Sequence, residues 1–144
     1  YLILNNQEME ALTSDQMIKS LVDEQLRYVT MVIDKPNVAE IKTFIHMLNE
    51  LGQFKKLVHD IHCYTDCQTL CGLLGQRRTK LVASGFRNKK GEPLAHQLLY
   101  KQVFNLCDQY PLNIHKVKGH QPNRDKKTTI DNIFSYVDRL SRKR

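Results

Sequence analysis

The spacing of apolar residues changes period several times along this chain, and that alternation constrains its fold more than any other feature. Tyr1 to Asn5 and Leu26 to Ile33 (LRYVTMVI) are rich in β-branched and aromatic residues and read as strands, with Ser14 to Val22 as a short helix between them. Pro36 ends the second run. Asn37 then stands where an N-cap would, and Val38, Ile41, Phe44, Ile45 and Leu48 follow at helical spacing, which predicts a helix of about four turns. Leu57 to Tyr64 (LVHDIHCY) is the next strand, stopped by Thr65-Asp66, and Leu70, Leu73 and Leu74 open another helix. Arg77 to Pro93 is basic, contains glycine, shows little periodicity and reads as a surface excursion. Leu94 to Tyr110 is a long amphipathic helix closed by Pro111, Leu112 to Val117 alternates as a strand, and Gly119 to Lys127 is a polar loop. Ile130, Ile133, Phe134, Val137 and Leu140 line a last helix. The order β, β, α, β, α, α, β, α describes an α/β layer, with helices packed on a mixed sheet.

With 144 residues, no repeats and no Gly/Ser linker, the chain is expected to form a single domain over residues 1–144. It begins at Tyr1 without an initiator Met and in a strand-like run, so it reads as a piece of a longer sequence. The apolar runs are too short to cross a bilayer, so no membrane partner is expected. Lys and Arg number 22 against 15 Asp and Glu, a formal net charge of +7, which favours a polyanionic partner. The cations cluster, at Arg77, Arg78 and Lys80, at Arg87, Lys89 and Lys90, at Lys116 and Lys118, from Arg124 to Lys127, and at the C-terminus. Cys63, Cys67, Cys71 and Cys107 form no CxxC and straddle a strand end and a helix start, poor geometry for tetrahedral zinc. Buried, reduced thiols of a cytosolic or nuclear protein are the reading they favour, so an intracellular, cytoplasmic location is expected.

Carboxylates stand at the ends of several elements. Glu40 falls in the first turn of the long helix, Asp66 ends the central strand, and Asp131 and Asp138 lie seven apart on the last helix, about two turns along one face. Acidic groups converging near strand ends of a basic protein suit a hard cation such as Mg²⁺ or Mn²⁺, which activates water and stabilises a leaving oxygen in phosphoryl transfer. Each also has a structural explanation. Asn37-x-x-Glu40 has the spacing of a capping box, Asp66 could cap the helix near Cys67, and Asp131 suits a helix N-terminus by its charge. Asp138, in mid-helix, is open to the reading of a solvated surface residue.

Taken together, the positions carry a resemblance. Tyr64-Thr65-Asp66-Cys67-Gln68 resembles the TDSQ signature of type 1 ribonucleases H, with Cys in place of Ser. Asn37-Val38-Ala39-Glu40-Ile41 resembles the segment carrying that family's catalytic Glu. Val117-Lys118-Gly119-His120 resembles the passage with its mobile active-site His, and Val137-Asp138-Arg139-Leu140-Ser141-Arg142 resembles the ADxLAR pattern with its last metal-binding Asp. The resemblance implies a ribonuclease H-like fold and a metal-dependent endonuclease that cuts the RNA strand of RNA/DNA hybrids. It implies Glu40, Asp66 and Asp138 as ligands of two Mg²⁺ ions, His120 as an aid to proton movement or product release, and Asn37, Gln68 and Lys118 as nucleic-acid contacts.

Two features depart from the family pattern. The family's first strand ends in a catalytic Asp, commonly within D-G-S, and nothing of that kind precedes Glu40. Either that strand lies upstream of Tyr1, the preferred reading since only two strands precede the first long helix, or Asn5 or Asn6 takes the acidic place. The stretch from His120 to Asp138 is also longer than the family's usual loop, which makes Asp131 a competitor for the last ligand position. A cleavage-deficient binding module, or another polynucleotidyl transferase on the same fold, is the alternative.

Overall fold

In the computed structural model, residues 1–27, 36–54, 60–118 and 128–142 are described. They contain the helices α1 (Asn6–Ala11), α2 (Asp15–Gln25), α3 (Pro36–Leu51), α4 (Gln68–Leu74), α5 (Gln76–Ala83), α6 (Gln97–Asp108) and α7 (Thr129–Arg142), and the strands β1 (Ile61–Thr65) and β2 (Leu112–Lys116). A 3-10 turn, Gly52–Phe54, extends α3. The chain divides into two compact units, one of Tyr1–Thr30 with Val117–Arg144 and one of Met31–Lys116. No described helix is long and apolar enough to cross a membrane.

In the first unit Leu12, Ile18, Val22 and Ile133 are buried together, and Tyr136, Val137 and Leu140 of α7 pack against them. Ile133, Val137 and Leu140 belong to the amphipathic stripe expected of the last helix, whereas Tyr136 was not among its expected members. Ser14 caps α2 by accepting from Met17 N–H at 3.2 Å. Among the described residues Tyr1 to Asn5 forms no ladder. Its start is nonetheless paired, because the Tyr1 ammonium donates to Arg27 O at 2.8 Å and Arg27 N–H returns a bond to Tyr1 O at 2.9 Å. That reciprocal exchange is the unit of an antiparallel pair. Residues 28–33 of the second expected strand, and 57–59 of the third, lie outside the described residues. Helix α1 was not expected. Asn5 starts it, accepting from Glu8 N–H at 2.8 Å while its own N–H donates to Glu8 Oε1 at 3.1 Å, a complete capping box.

In the second unit β1 and β2 pair in parallel, Ile61 with Leu112 through Thr65 with Lys116, so the α4–α6 segment is the crossover that a parallel pair requires. Ile61 and Thr65 are buried on one face of β1, whereas His62 and Tyr64 are exposed on the other. Helix α3 packs on α6 and α4. It buries Ile41, Phe44, Ile45, Leu48 and Leu51, as its apolar spacing requires.

Helix α5 corrects the expectation of an aperiodic excursion from Arg77 to Pro93. Only Leu81 of α5 is buried. What docks it beside α6 is a pair of guanidinium groups: Arg77 lies 5.4 Å from the centre of the Tyr100 ring, and Arg78 lies 4.8 Å from that of Phe104. Arg78 also grips both oxygens of Asp108, at 2.9 and 2.8 Å. Stacked arginines leave no apolar period to read. The rest of the stretch is a closed loop. Asn88 Oδ1 accepts from the N–H groups of Lys90 and Glu92, Asn88 N–H donates to Glu92 O, and Arg87 bridges Pro93. Gly91, at φ 79°, occupies the left-handed region where a side chain is disfavoured. The exposed tip presents Lys89 and Lys90.

Candidate active site at the end of β1

Asp66 follows the last residue of β1, and Cys67 is the N-cap of α4. The turn holds itself together: Cys67 N–H donates to Thr65 Oγ1 at 3.1 Å, and Leu70 N–H donates to Cys67 Sγ at 3.4 Å. Thr65 is buried. Capping of α4 therefore falls to the Cys67 thiol and not to Asp66, whose carboxylate is half-buried at the strand end. The capping explanation for Asp66 is corrected accordingly.

The capping box proposed for Glu40 also gives way. Helix α3 begins at Pro36, so Asn37 is already a helical residue and not an N-cap. Proline at the first helical position costs nothing, since its missing N–H would have had no partner there, and its fixed φ suits the helix. Glu40 is thus the fifth residue of α3, beyond the first turn, and is exposed.

Glu40 and Asp66, from different elements, act on a common neighbour. Burial raises the Cys67 thiol above its ordinary value, the Leu70 N–H opposes the rise, and the negative charges of Glu40 and Asp66 add to it. Both carboxylates therefore lie within electrostatic reach of one sulfur. Their oxygens are hard donors of the kind that suit Mg²⁺ or Mn²⁺. Among the described residues no group of three or more His, Cys, Asp or Glu side chains is gathered tightly enough to hold a metal.

Gln68 is the first residue of α4 and is exposed, and Lys118 is exposed two residues past β2. Asn37 has a described backbone only, and His120 lies outside the described residues. Asp138 is half-buried on α7 beside Val137, which packs against the first unit's core. Asp131 faces back to the helix start: Thr128 N–H donates to Asp131 Oδ2 at 3.3 Å, and Asp131 N–H donates to Thr128 Oγ1 at 3.1 Å. That is a reciprocal cap with Asp at the third position.

Sequence reasoning missed the capping part played by Cys67. The signal was present, since Ser in the related signature is a favoured N-cap and a thiol is its weaker analogue. Cys67→Ser is expected to raise stability by about 0.5–1 kcal/mol, because a hydroxyl oxygen accepts the Leu70 N–H better than sulfur does. A higher urea midpoint at unchanged slope is the result to look for, and a lower midpoint would count against the cap.

A search of curated proteins and a search of solved structures return no match. The family model for RNase H matches residues 5–143, nearly the whole chain and both units. Since the matched span contains the strand-end Asp66, the helical Glu40 and all four ordered motifs, the chain belongs to the RNase H family.

Proposed function

We propose that this chain is a metal-dependent endonuclease that cuts the RNA strand of RNA/DNA hybrids. Family membership makes it a hydrolase of the nuclease type. The observation that supports the finer reading is the placement of Asp66 between the end of β1 and the start of α4, with Glu40 on α3, the helix that packs on α4. In this reading Glu40, Asp66 and Asp138 hold two Mg²⁺ ions, for which Mn²⁺ can substitute. Held there, such ions would supply an activated water and charge neutralisation at the phosphate.

The chain's own residues then position the substrate. Asn37 and Gln68 sit beside the carboxylates in sequence and contact the nucleic acid where the 2′-hydroxyl distinguishes RNA from DNA. Lys118, with the tip lysines Lys89 and Lys90, holds phosphates and sets affinity without reading sequence. His120 moves a proton or eases product release. The four free cysteines suit an intracellular setting.

A second reading, a module that binds hybrids without cutting them, is favoured by one observation. The acidic residues described ahead of Glu40, namely Glu8, Glu10, Asp15, Asp23 and Glu24, lie on α1 and α2 and not at a strand end. A single assay separates the two. With Mg²⁺, the protein is expected to cut the RNA of a hybrid and to leave duplex DNA intact, with cleavage lost in a chelator. Binding to the uncut hybrid should weaken about a thousandfold or more between about 50 and 200 mM salt, through counterion release. Salt-sensitive binding without cleavage selects the second reading, and salt-independent binding sinks both.

A further inference from the structure

A row of polar side chains on the exposed face of the β1–β2 pair lies outside the candidate active site. His62 Nε2 stands 3.0 Å from Asp60 Oδ2, and the other Asp60 oxygen accepts from Asn113 Nδ2. On its far side His62 Nδ1 stands 2.9 Å from His115 Nε2. The His115 ring stacks on Tyr64, its register partner, with centroids 4.8 Å apart and planes 19° apart. Both imidazoles are exposed.

The Asp60 carboxylate only accepts, so it draws the His62 proton to Nε2 and leaves a lone pair on Nδ1. This is the way a carboxylate prepares an imidazole for a metal, by fixing its tautomer and orientation. Asn113 in turn steadies Asp60, and Tyr64 limits the rotation of His115. The spacing of the two facing nitrogens fits as well. With metal–nitrogen bonds of about 2.0–2.1 Å, two ligands at a right angle stand about 2.9 Å apart, and at the tetrahedral angle about 3.3 Å. In the absence of metal the same nitrogens share a hydrogen bond.

We propose that His62 Nδ1 and His115 Nε2 form a two-imidazole site for a borderline divalent transition metal, with Asp60 as the orienting carboxylate and water completing the coordination. Imidazole pairs suit Ni²⁺, Cu²⁺ and Zn²⁺, whereas Mg²⁺ prefers oxygen donors, so the site is chemically separate from the carboxylates near Cys67. Among the described residues no third strong ligand joins the pair. The site is therefore open, and a metal there ties β1 to β2.

The test is calorimetric titration of the whole chain with Ni²⁺ in excess Mg²⁺, which occupies oxygen-donor sites. One site is expected, with affinity reduced at least tenfold in His62→Gln and in His115→Gln, and about tenfold in Asp60→Asn. Ni²⁺ should also raise the Tm of the parent and not of either histidine variant. Circular dichroism and metal-free Tm show that each variant folds, and in the unaltered chain paramagnetic Ni²⁺ should broaden the His62 and His115 ring resonances first. Absence of Ni²⁺ binding by the parent, or affinity in the histidine variants unchanged from the parent's, overturns the proposal.

Discussion

Asp138→Asn is expected to lower Mg²⁺-dependent cleavage of an RNA/DNA hybrid by at least about a thousandfold, while hybrid binding changes little. A lost metal ligand removes stabilisation present mainly in the transition state, so the loss appears in kcat more than in binding. Asp66→Asn should behave in the same way. Asp131→Asn should leave cleavage within a few-fold of the parent, since its carboxylate is engaged in the reciprocal cap with Thr128. The amide oxygen of Asn can still accept from Thr128 N–H, so the substitution removes mainly the negative charge at the helix N-terminus and costs about 0.3–1 kcal/mol of stability. Single-turnover kinetics on one hybrid, with binding measured in a chelator, separates these effects. An inactive Asp131→Asn beside an active Asp138→Asn would show that the last helix carries its ligand one turn pair earlier than the VDRLSR resemblance implies.

Leu48→Ala is expected to destabilise the chain by about 3–5 kcal/mol, the upper range for a fully buried leucine. Leu48 is wholly inaccessible to solvent, as is Leu73 of α4, and it belongs to the helix that carries Glu40. The loss combines transfer free energy with a cavity that the surrounding helices close only in part. Set against the roughly 5–15 kcal/mol that holds a typical domain together, it is a large fraction of the whole. Leu98→Ala is the control, because Leu98 is 76% exposed and its removal should cost no more than about 0.5 kcal/mol. Equal shifts of the urea midpoint in the two variants would mean that α3 is not packed as described.

Where the apolar period decided the local structure, the sequence was legible. Helix α3, strand β2 and most of the stripe of α7 follow from the apolar spacing, as with Ile41, Phe44, Ile45 and Leu48 or Ile133, Val137 and Leu140. Helix α6 was readable as a helix, but its face was not, since it buries Tyr100, Val103 and Phe104 and exposes Leu98. Where polar groups decided it, the sequence was misleading. Asn37 looked like a cap because the helix was assumed to start after proline, although proline fits its first position. Asn5 began a helix of its own through Glu8, a local bond that no hydrophobic count detects. Helix α5 stayed hidden because arginines on aromatic rings replaced its apolar face. The pairing of His62 with His115 depends on the register of two strands, with the histidines 53 positions apart in sequence, so only folding reveals it. Of the candidate site, the strand-end position of Asp66 and the helical position of Glu40 were readable, but the packing of α3 on α4, which brings their elements together, was not.

The docking of α5 by stacked cations has a consequence for how the molecule tolerates local opening. A helix anchored by one leucine is a candidate for transient release, at a lower free energy than the rest of its unit. In most proteins such an excursion bares a hydrophobic stripe and invites aggregation. Here release would uncover Leu81, Tyr100 and Phe104, but it also frees Arg77 and Arg78, whose like charges oppose the close approach of two molecules opened in the same way.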